Sequence, residues 1–596
     1  MLTAGRMLVI SGGLLSLAAR VAPSEAPQGA TQRFRELARA YIEDFAAFRP
    51  EVATEWGLHA HDGALPNLDA GAIGGRAARV SATLARLEEI DRSALRGSGP
   101  APQPEYFDHR LLEYALRDEL LELRDVRMWQ RNPGLYNTAI ASGVALLVDR
   151  SFAPLPKRLE ALIARCEHVP RVVAAARENL RDVPELWARR GAEATRGTAS
   201  FLRTDLPEAL RAQGLGNVES SLAARWRRAH AGALSAVEAF AAWQETELLP
   251  RARGDYRLGR ERLQRRLLYG EHVTLSIEQL RDMNEAAILD YQERVRREAA
   301  RIDPGAPPQA VMEAMSRDFP PPDQLVDAAR SLMASARQHV IDQRLLTLPA
   351  ESVPIVRPTP RYARGGPFAS MSVPGPFETV ATEAFFNLTP PDAAWDDARV
   401  RQHMTYFNRP GLLGITVHEA FPGHFVQLLY QQHLPSDLRK VLQPWTLVEG
   451  WAHYTEQMMV DEGLAGADPR VRLGQLRRAL QRHARWYASL ALHAFGEPVE
   501  TVARRFQAIA YFAEFPALRE TERGTEEAVY LSYALGRMQI LDLREEARRE
   551  AERTGTRFSL REFHDRFLRL GLPPELAREA LLGRPVRPPR TVPPTP

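Results

Sequence analysis

The chain has 596 residues, with 78 Lys+Arg against 75 Asp+Glu, 45% hydrophobic and 26% charged residues, the balance of a protein with a large core and not of a disordered chain. A net charge of only +3 argues against a dedicated nucleic-acid binder, which carries a large or clustered basic excess. Two lysines, Lys157 and Lys440, with no Gly-Lys-Ser/Thr run exclude a P-loop and limit Schiff-base chemistry to two candidates, while the single Cys166 excludes intrachain disulfides, iron–sulfur clusters and Cys-rich zinc sites.

At the amino terminus Arg6 precedes a 13-residue uncharged run, 7–19, too short to span a bilayer but suited to the apolar region of a signal peptide. Ser24-Glu25-Ala26 before Pro27 offers a small-x-small cleavage site. Residues 1–26 are therefore expected to be a leader and the protein to be exported, periplasmic or secreted. The alternative is an amphipathic leader on a cytoplasmic protein. No other uncharged stretch approaches the length of a membrane span, so the mature chain is expected to be soluble.

From Thr31 the apolar pattern is helical. Phe34, Leu37, Ala38, Tyr41, Ile42 and Phe45 follow the three-four spacing of one buried face. Similar stretches occupy 77–90, 106–126, 155–180, 221–249, 277–300 and 324–346. Cys166, inside the third of them, reads as a small core residue. Pro358 to Pro391 breaks this rhythm: turn formers alternate with FASMSV and AFFNL, which predicts two or three short strands. Such a sheet would either form the wall of a peptide cleft, adding the peptide as a strand, or be a purely structural hairpin. A single helical domain is expected over 31–583, its metal-site half at about 358–545, followed by a disordered proline-rich tail, 584–596.

The chemistry concentrates at 415–428, ITVHEAFPGHFVQL. His418 and Glu419 are adjacent, and His424 follows six residues after His418. With 15 histidines and 75 acids in the chain, only about 0.05 such matches arise by accident. The nearest template is His-Glu-x-x-His, in which two histidines one turn apart hold zinc and the glutamate activates water. At 100° per residue the offset of six instead puts His424 240° from His418, so a regular helix cannot aim both rings at one ion. A local bulge at Pro422-Gly423 is expected to absorb the two extra residues. In the next helical stretch, 444–459, Glu449, His453 and Glu456 share one face at 0°, 40° and 340°. Twenty-four residues separate His424 from Glu449, enough to finish one helix and return beside it. A carboxylate there would complete a two-histidine, one-carboxylate zinc site with a position left for water.

HEAFPGH, LVEGWAHYTEQMM, YLSYALGRMQILDLR (530–544) and the earlier stretch 108–136 resemble the bacterial domain-of-unknown-function 885 family of predicted metal-dependent hydrolases. More distantly, the His-Glu motif followed by a glutamate resembles helical gluzincin peptidases. The likeness implies one zinc ion at His418, His424 and Glu449, with Glu419 as the base. Ser489 stands where an acid is expected before His493. Tyr533 is either an oxyanion donor or a helix-core tyrosine. Arg537, one turn on, is a candidate for holding a substrate carboxylate. His453 either orients Glu449 or meets the transition-state oxygen, and a second metal shared by His453 and Glu456 is a further option.

The expected protein is mainly α-helical, with a deep cleft edged by a small sheet. Its expected function is zinc-dependent hydrolysis of peptide bonds, carboxypeptidase- or oligopeptidase-like. A zinc amidohydrolase acting on a non-peptide amide and a non-catalytic secreted metal-binding protein are the alternatives. The expected partner is a peptide or small amide, with no nucleic acid.

Overall fold

The computed structural model describes residues 29–99, 102–364 and 366–583. The expected leader and proline-rich tail lie outside these residues. The amphipathic stretches fold as long helices, among them Ala30–Phe48, Leu155–Asn179, Ser220–Trp243, Ile277–Ile302 and Leu325–Asp342. In the first, Phe34, Leu37, Ala38, Tyr41 and Ile42 are buried, the face that the spacing predicts, while Phe45 is half-buried and stacks on Trp56. The start of Ile277–Ile302 is fixed by a capping box: Ser276 accepts from the Gln279 N–H, and the Gln279 side chain accepts from the Ser276 N–H. Cys166 lies in the core of the amino-terminal half with Leu162, Ile163, Trp226 and Phe240. No helix among the described residues is long and apolar enough to cross a membrane.

Three strands form one sheet: β1 (Ile355–Pro358), β2 (Ala369–Ser372) and β3 (Phe385–Leu388), in the order β1-β3-β2. β1 runs parallel to β3, pairing Ile355 with Phe385, and β2 runs antiparallel to it, pairing Ala369 with Leu388. The expected hairpin is thus one half of a mixed sheet whose first strand begins ahead of the predicted region. Parallel pairing depends on a partner some 30 residues away, which no local pattern announces. β3 is buried along its length, whereas β2 is half-exposed and forms an edge.

Five helices surround the candidate metal site: α1 (Arg409–Glu419), α2 (His424–Gln431), α3 (Trp445–Asp461), α4 (Pro469–His493) and α5 (Ser532–Arg553). β2 packs against α1. Phe386, Phe407, Phe421, Phe425, Trp451 and Tyr454 share one core with these helices. α3 packs along α5 and meets it at two glycines. A Cβ on Gly536 would lie 2.2 Å from the Thr446 carbonyl oxygen and 2.8 Å from the Gly450 Cα, so only hydrogen fits at this crossing.

Candidate metal centre

Each end of the histidine motif has its own helix. Asn408 caps α1 by accepting from the Gly411 N–H at 3.0 Å, and the helix runs to His418 and Glu419. At Ala420 the backbone leaves helical dihedrals (φ −106°, ψ −88°). It passes through the cis Phe421–Pro422 peptide, and the Gly423 N–H returns to the Val417 carbonyl at 3.1 Å. α2 then starts at His424. The expected bulge inside one helix is corrected to a break between two. A six-residue offset needs a new helix axis, and a proline without an N–H followed by glycine supplies the interruption. Gly423 is obligatory, because a Cβ there would sit 1.8 Å from the His418 carbonyl oxygen. Phe421 and Phe425 are buried with ring centroids 5.3 Å apart, and Trp451 Nε1 on α3 donates to the Pro422 carbonyl at 2.9 Å. Burial of each phenylalanine is worth about 1.5–3 kcal/mol over exposure, which pins the break to the core.

The start of α3 is held from another helix: the buried Glu271 carboxylate accepts from the Thr446 N–H at 2.8 Å. One turn on, Glu449 reaches between the two histidines. Its Oε2 lies 3.4 Å from His418 Nε2 and 3.5 Å from His424 Nε2, and the imidazole rings meet nearly perpendicularly, at 84°. Four-coordinate zinc with bonds of about 2.0–2.1 Å places its ligand atoms roughly 3.3–3.4 Å apart, so the spacing fits three ligands around one ion. The chemistry of the donors fits as well. Glu449 Oε2 is buried without a hydrogen-bond partner, and a buried carboxylate oxygen without a donor is costly unless a cation meets it.

His418 is fixed from behind by Glu456, whose Oε1 lies 2.8 Å from His418 Nδ1. Glu456 also accepts from Arg478 Nε (2.6 Å) and Arg482 Nη2 (3.3 Å) on α4. Burial would raise the Glu456 carboxyl, but Arg478 and Arg482 hold it well below 4.5. Burial would likewise push the His418 imidazole down, yet its contacts with Glu449 and Glu456 draw it up to about 9. Burial would also raise Glu449, which the two histidines keep well below 4.5. The cluster therefore favours a positive charge between two carboxylates, a role that a divalent ion could take in place of the proton.

Residues 50–580 match the family described as "Bacterial protein of unknown function (DUF885)". The chain belongs to the DUF885 family. This DUF885 protein is similar in structure to a candidate lipoprotein of unknown function from Shewanella oneidensis, with TM-score 0.75, 24% identity and 92% of this chain and 99% of that one covered. It is also similar to a candidate lipoprotein from Colwellia psychrerythraea, with TM-score 0.76, 17% identity and 93% and 98% coverage. No curated protein matches it.

The structure brings together three of the residues singled out in the DUF885 sequence, His418, His424 and Glu449, within 4.8 Å of one another. Glu419 follows His418, half-buried, and makes no hydrogen bond or ion pair among the described residues. Tyr533, on α5, is half-buried. Burial and the nearby Glu449 both raise its phenol, so the hydroxyl keeps its proton. His453 does not hydrogen-bond to Glu449. Its Nδ1 donates to the Tyr533 carbonyl at 3.3 Å and its Nε2 has no partner. Burial and Arg537 keep this imidazole neutral. Glu456 is committed to His418, Arg478 and Arg482, so the structure does not gather it with His453 around a second ion. Arg537 is 1% exposed, and its guanidinium is engaged by Tyr291, Gln457 (3.2 Å) and His483 (3.0 Å). Ser489 Oγ donates to the Ala528 carbonyl and makes no hydrogen bond to His493. The orienting role of Glu456 was not assigned from the sequence, although its place on the Glu449 face was a usable signal.

Proposed function

We propose that this protein is a zinc-dependent hydrolase of peptide bonds. The observation that carries the reading is the convergence of two imidazole Nε2 atoms on one unsatisfied carboxylate oxygen, with an unpaired glutamate next in sequence to the first histidine. Zinc bound by His418, His424 and Glu449 would acidify a water molecule and polarise the substrate carbonyl. Glu419, which makes no hydrogen bond or ion pair among the described residues, would accept the proton of the attacking water and return it to the leaving nitrogen. The Tyr533 hydroxyl donates to the carbonyl oxygen as negative charge develops there. Glu456, bonded to His418 Nδ1, would hold the ring in the tautomer that leaves Nε2 to bind the ion. The half-exposed edge strand β2, packed on the helix that carries His418 and Glu419, offers an extended peptide a backbone ladder, which favours peptides over small amides. The leader-like run after Arg6, together with the structural likeness to candidate lipoproteins, supports an exported enzyme.

The test is Glu419→Gln, which keeps size and hydrogen bonding and removes the base. The variant is expected to fold and retain one equivalent of zinc while hydrolysis of a peptide library falls by roughly 10² or more. Tyr533→Phe is expected to lower turnover with zinc content unchanged. Wild-type turnover by Glu419→Gln, or full zinc stoichiometry in His418→Ala, would refute the reading.

A further inference from the structure

A cavity of about 360 Å³ is walled by the rings of Trp187, Tyr256, Trp445, Tyr530 and Tyr533. Two of these connect it to the metal-binding residues. Trp445 stands one helical turn before Glu449 on α3, on the same face, and Tyr533 lies in the first turn of α5, which packs along α3. Trp445 is 53% exposed, a large ring left uncovered at the start of a helix that is mostly buried.

The charged groups of the wall already have partners. Glu122 pairs with Arg266, Glu527 with Arg523 at 2.7 Å, and Glu526 with Arg190 at 2.8 Å. His493 donates from Nε2 to the Gly524 carbonyl at 2.8 Å, and burial pushes its imidazole down to about 4, so it is neutral. A charged side chain entering the cavity would thus lose its water without meeting a free counter-charge, which is unfavourable. An aromatic side chain would meet ring edges and faces on several sides. The volume is at the lower end of the roughly 300–1,000 Å³ typical of ligand pockets, room for one bulky side chain with its adjoining backbone.

We propose that this cavity is the specificity pocket of the centre and takes one large aromatic side chain of a peptide, flanking the bond that is cut. The assignment rests on the hydrolase reading above and names its substrate class: peptides carrying phenylalanine, tyrosine or tryptophan at one fixed position from the scissile bond. Selectivity then comes from ring-on-ring contact and burial, with no charge reading.

The experiment compares tetra-alanine with its four single-phenylalanine variants. Binding is measured by calorimetry on the zinc-loaded Glu419→Gln protein, and hydrolysis on the wild type. One phenylalanine position is expected to bind at least about tenfold more tightly than tetra-alanine. That preference should fall at least about fivefold when Trp445→Ala removes a wall or Met128→Trp fills the cavity, with zinc content unchanged in both. Should the Met128→Trp protein not fold, Trp445→Ala carries the comparison, since its side chain is half-exposed. Equal binding of all five peptides, or an undiminished preference in the variants, would overturn the pocket. The two readings fail separately. Hydrolysis of all five peptides at one rate would leave the hydrolase standing without the pocket, and phenylalanine-selective binding without hydrolysis by the wild type would leave the pocket without the hydrolase.

Discussion

Replacing Gly423 by alanine tests whether the break between α1 and α2 sets the position of His424. The added Cβ would lie 1.8 Å from the His418 carbonyl oxygen and 2.4 Å from that of Val417, whereas ordinary contact begins near 3.4 Å. Both obstacles are backbone atoms in the last turn of α1, so no rotamer change relieves them. Gly423 and the first turn of α2 must move away by something over 1 Å. Metal ligands tolerate displacements of about 0.2 Å, several-fold less. The variant is expected to lose about 1–3 kcal/mol of stability from overpacking and to bind zinc at least about tenfold more weakly, with helical content retained. Elemental analysis after dialysis, chelator competition and circular dichroism read the three quantities. Full zinc stoichiometry at wild-type affinity would refute the argument that this close approach positions His424.

Gly536→Ala should cost about 1–3 kcal/mol in urea unfolding, since its Cβ would meet the Thr446 carbonyl oxygen at 2.2 Å; an unchanged midpoint would show that α3 and α5 do not depend on that crossing. Glu456→Gln is expected to weaken zinc binding by about 10–100-fold, read by chelator competition, and wild-type affinity would remove Glu456 as the residue that orients His418. His59 lies between Asp62 and Glu378, each 3.0 Å from a ring nitrogen, and links the amino-terminal helices to the β2–β3 connection. Hydrogen bonding to Asp62, and then to Glu378, raises its pKa above 6.5. Its contribution to stability is therefore complete below pH 6.5 and is lost as the pH rises through the raised folded value. Burial would raise Glu378, but the Val380 N–H and His59 hold it below 4.5, so its share is present above pH 4.5 and lost as the pH falls through the lower folded value. The difference in melting temperature between wild type and His59→Ala should be largest between these limits; a difference constant from pH 5 to 9 would disprove the clamp.

The sequence by itself determined the helical architecture, because the three-four spacing of Phe34, Leu37, Tyr41 and their counterparts along the chain is a local property that burial then uses. It also marked His418, His424 and Glu449, because His-Glu followed by histidine at a fixed offset is rare in this composition and Glu449 lies one return helix away. The same reading could not decide between a bulge and a break at Pro422-Gly423. That outcome turns on Trp451 Nε1 reaching the Pro422 carbonyl and on the packing of Phe421 and Phe425, contacts from elements that local spacing does not bring together. The mixed sheet was hidden for the same reason, since the pairing of Ile355 with Phe385 is parallel and remote. Only the tertiary structure decided that Glu456, and not His453, supports a candidate metal-binding residue, His418. Both lie on one face of α3, but the arginines of α4 meet Glu456 there, while the carbonyl of Tyr533 on α5 accepts a hydrogen bond from His453. Helical periodicity assigns a residue to a face, and only the packing of the neighbouring helices determines what that face meets.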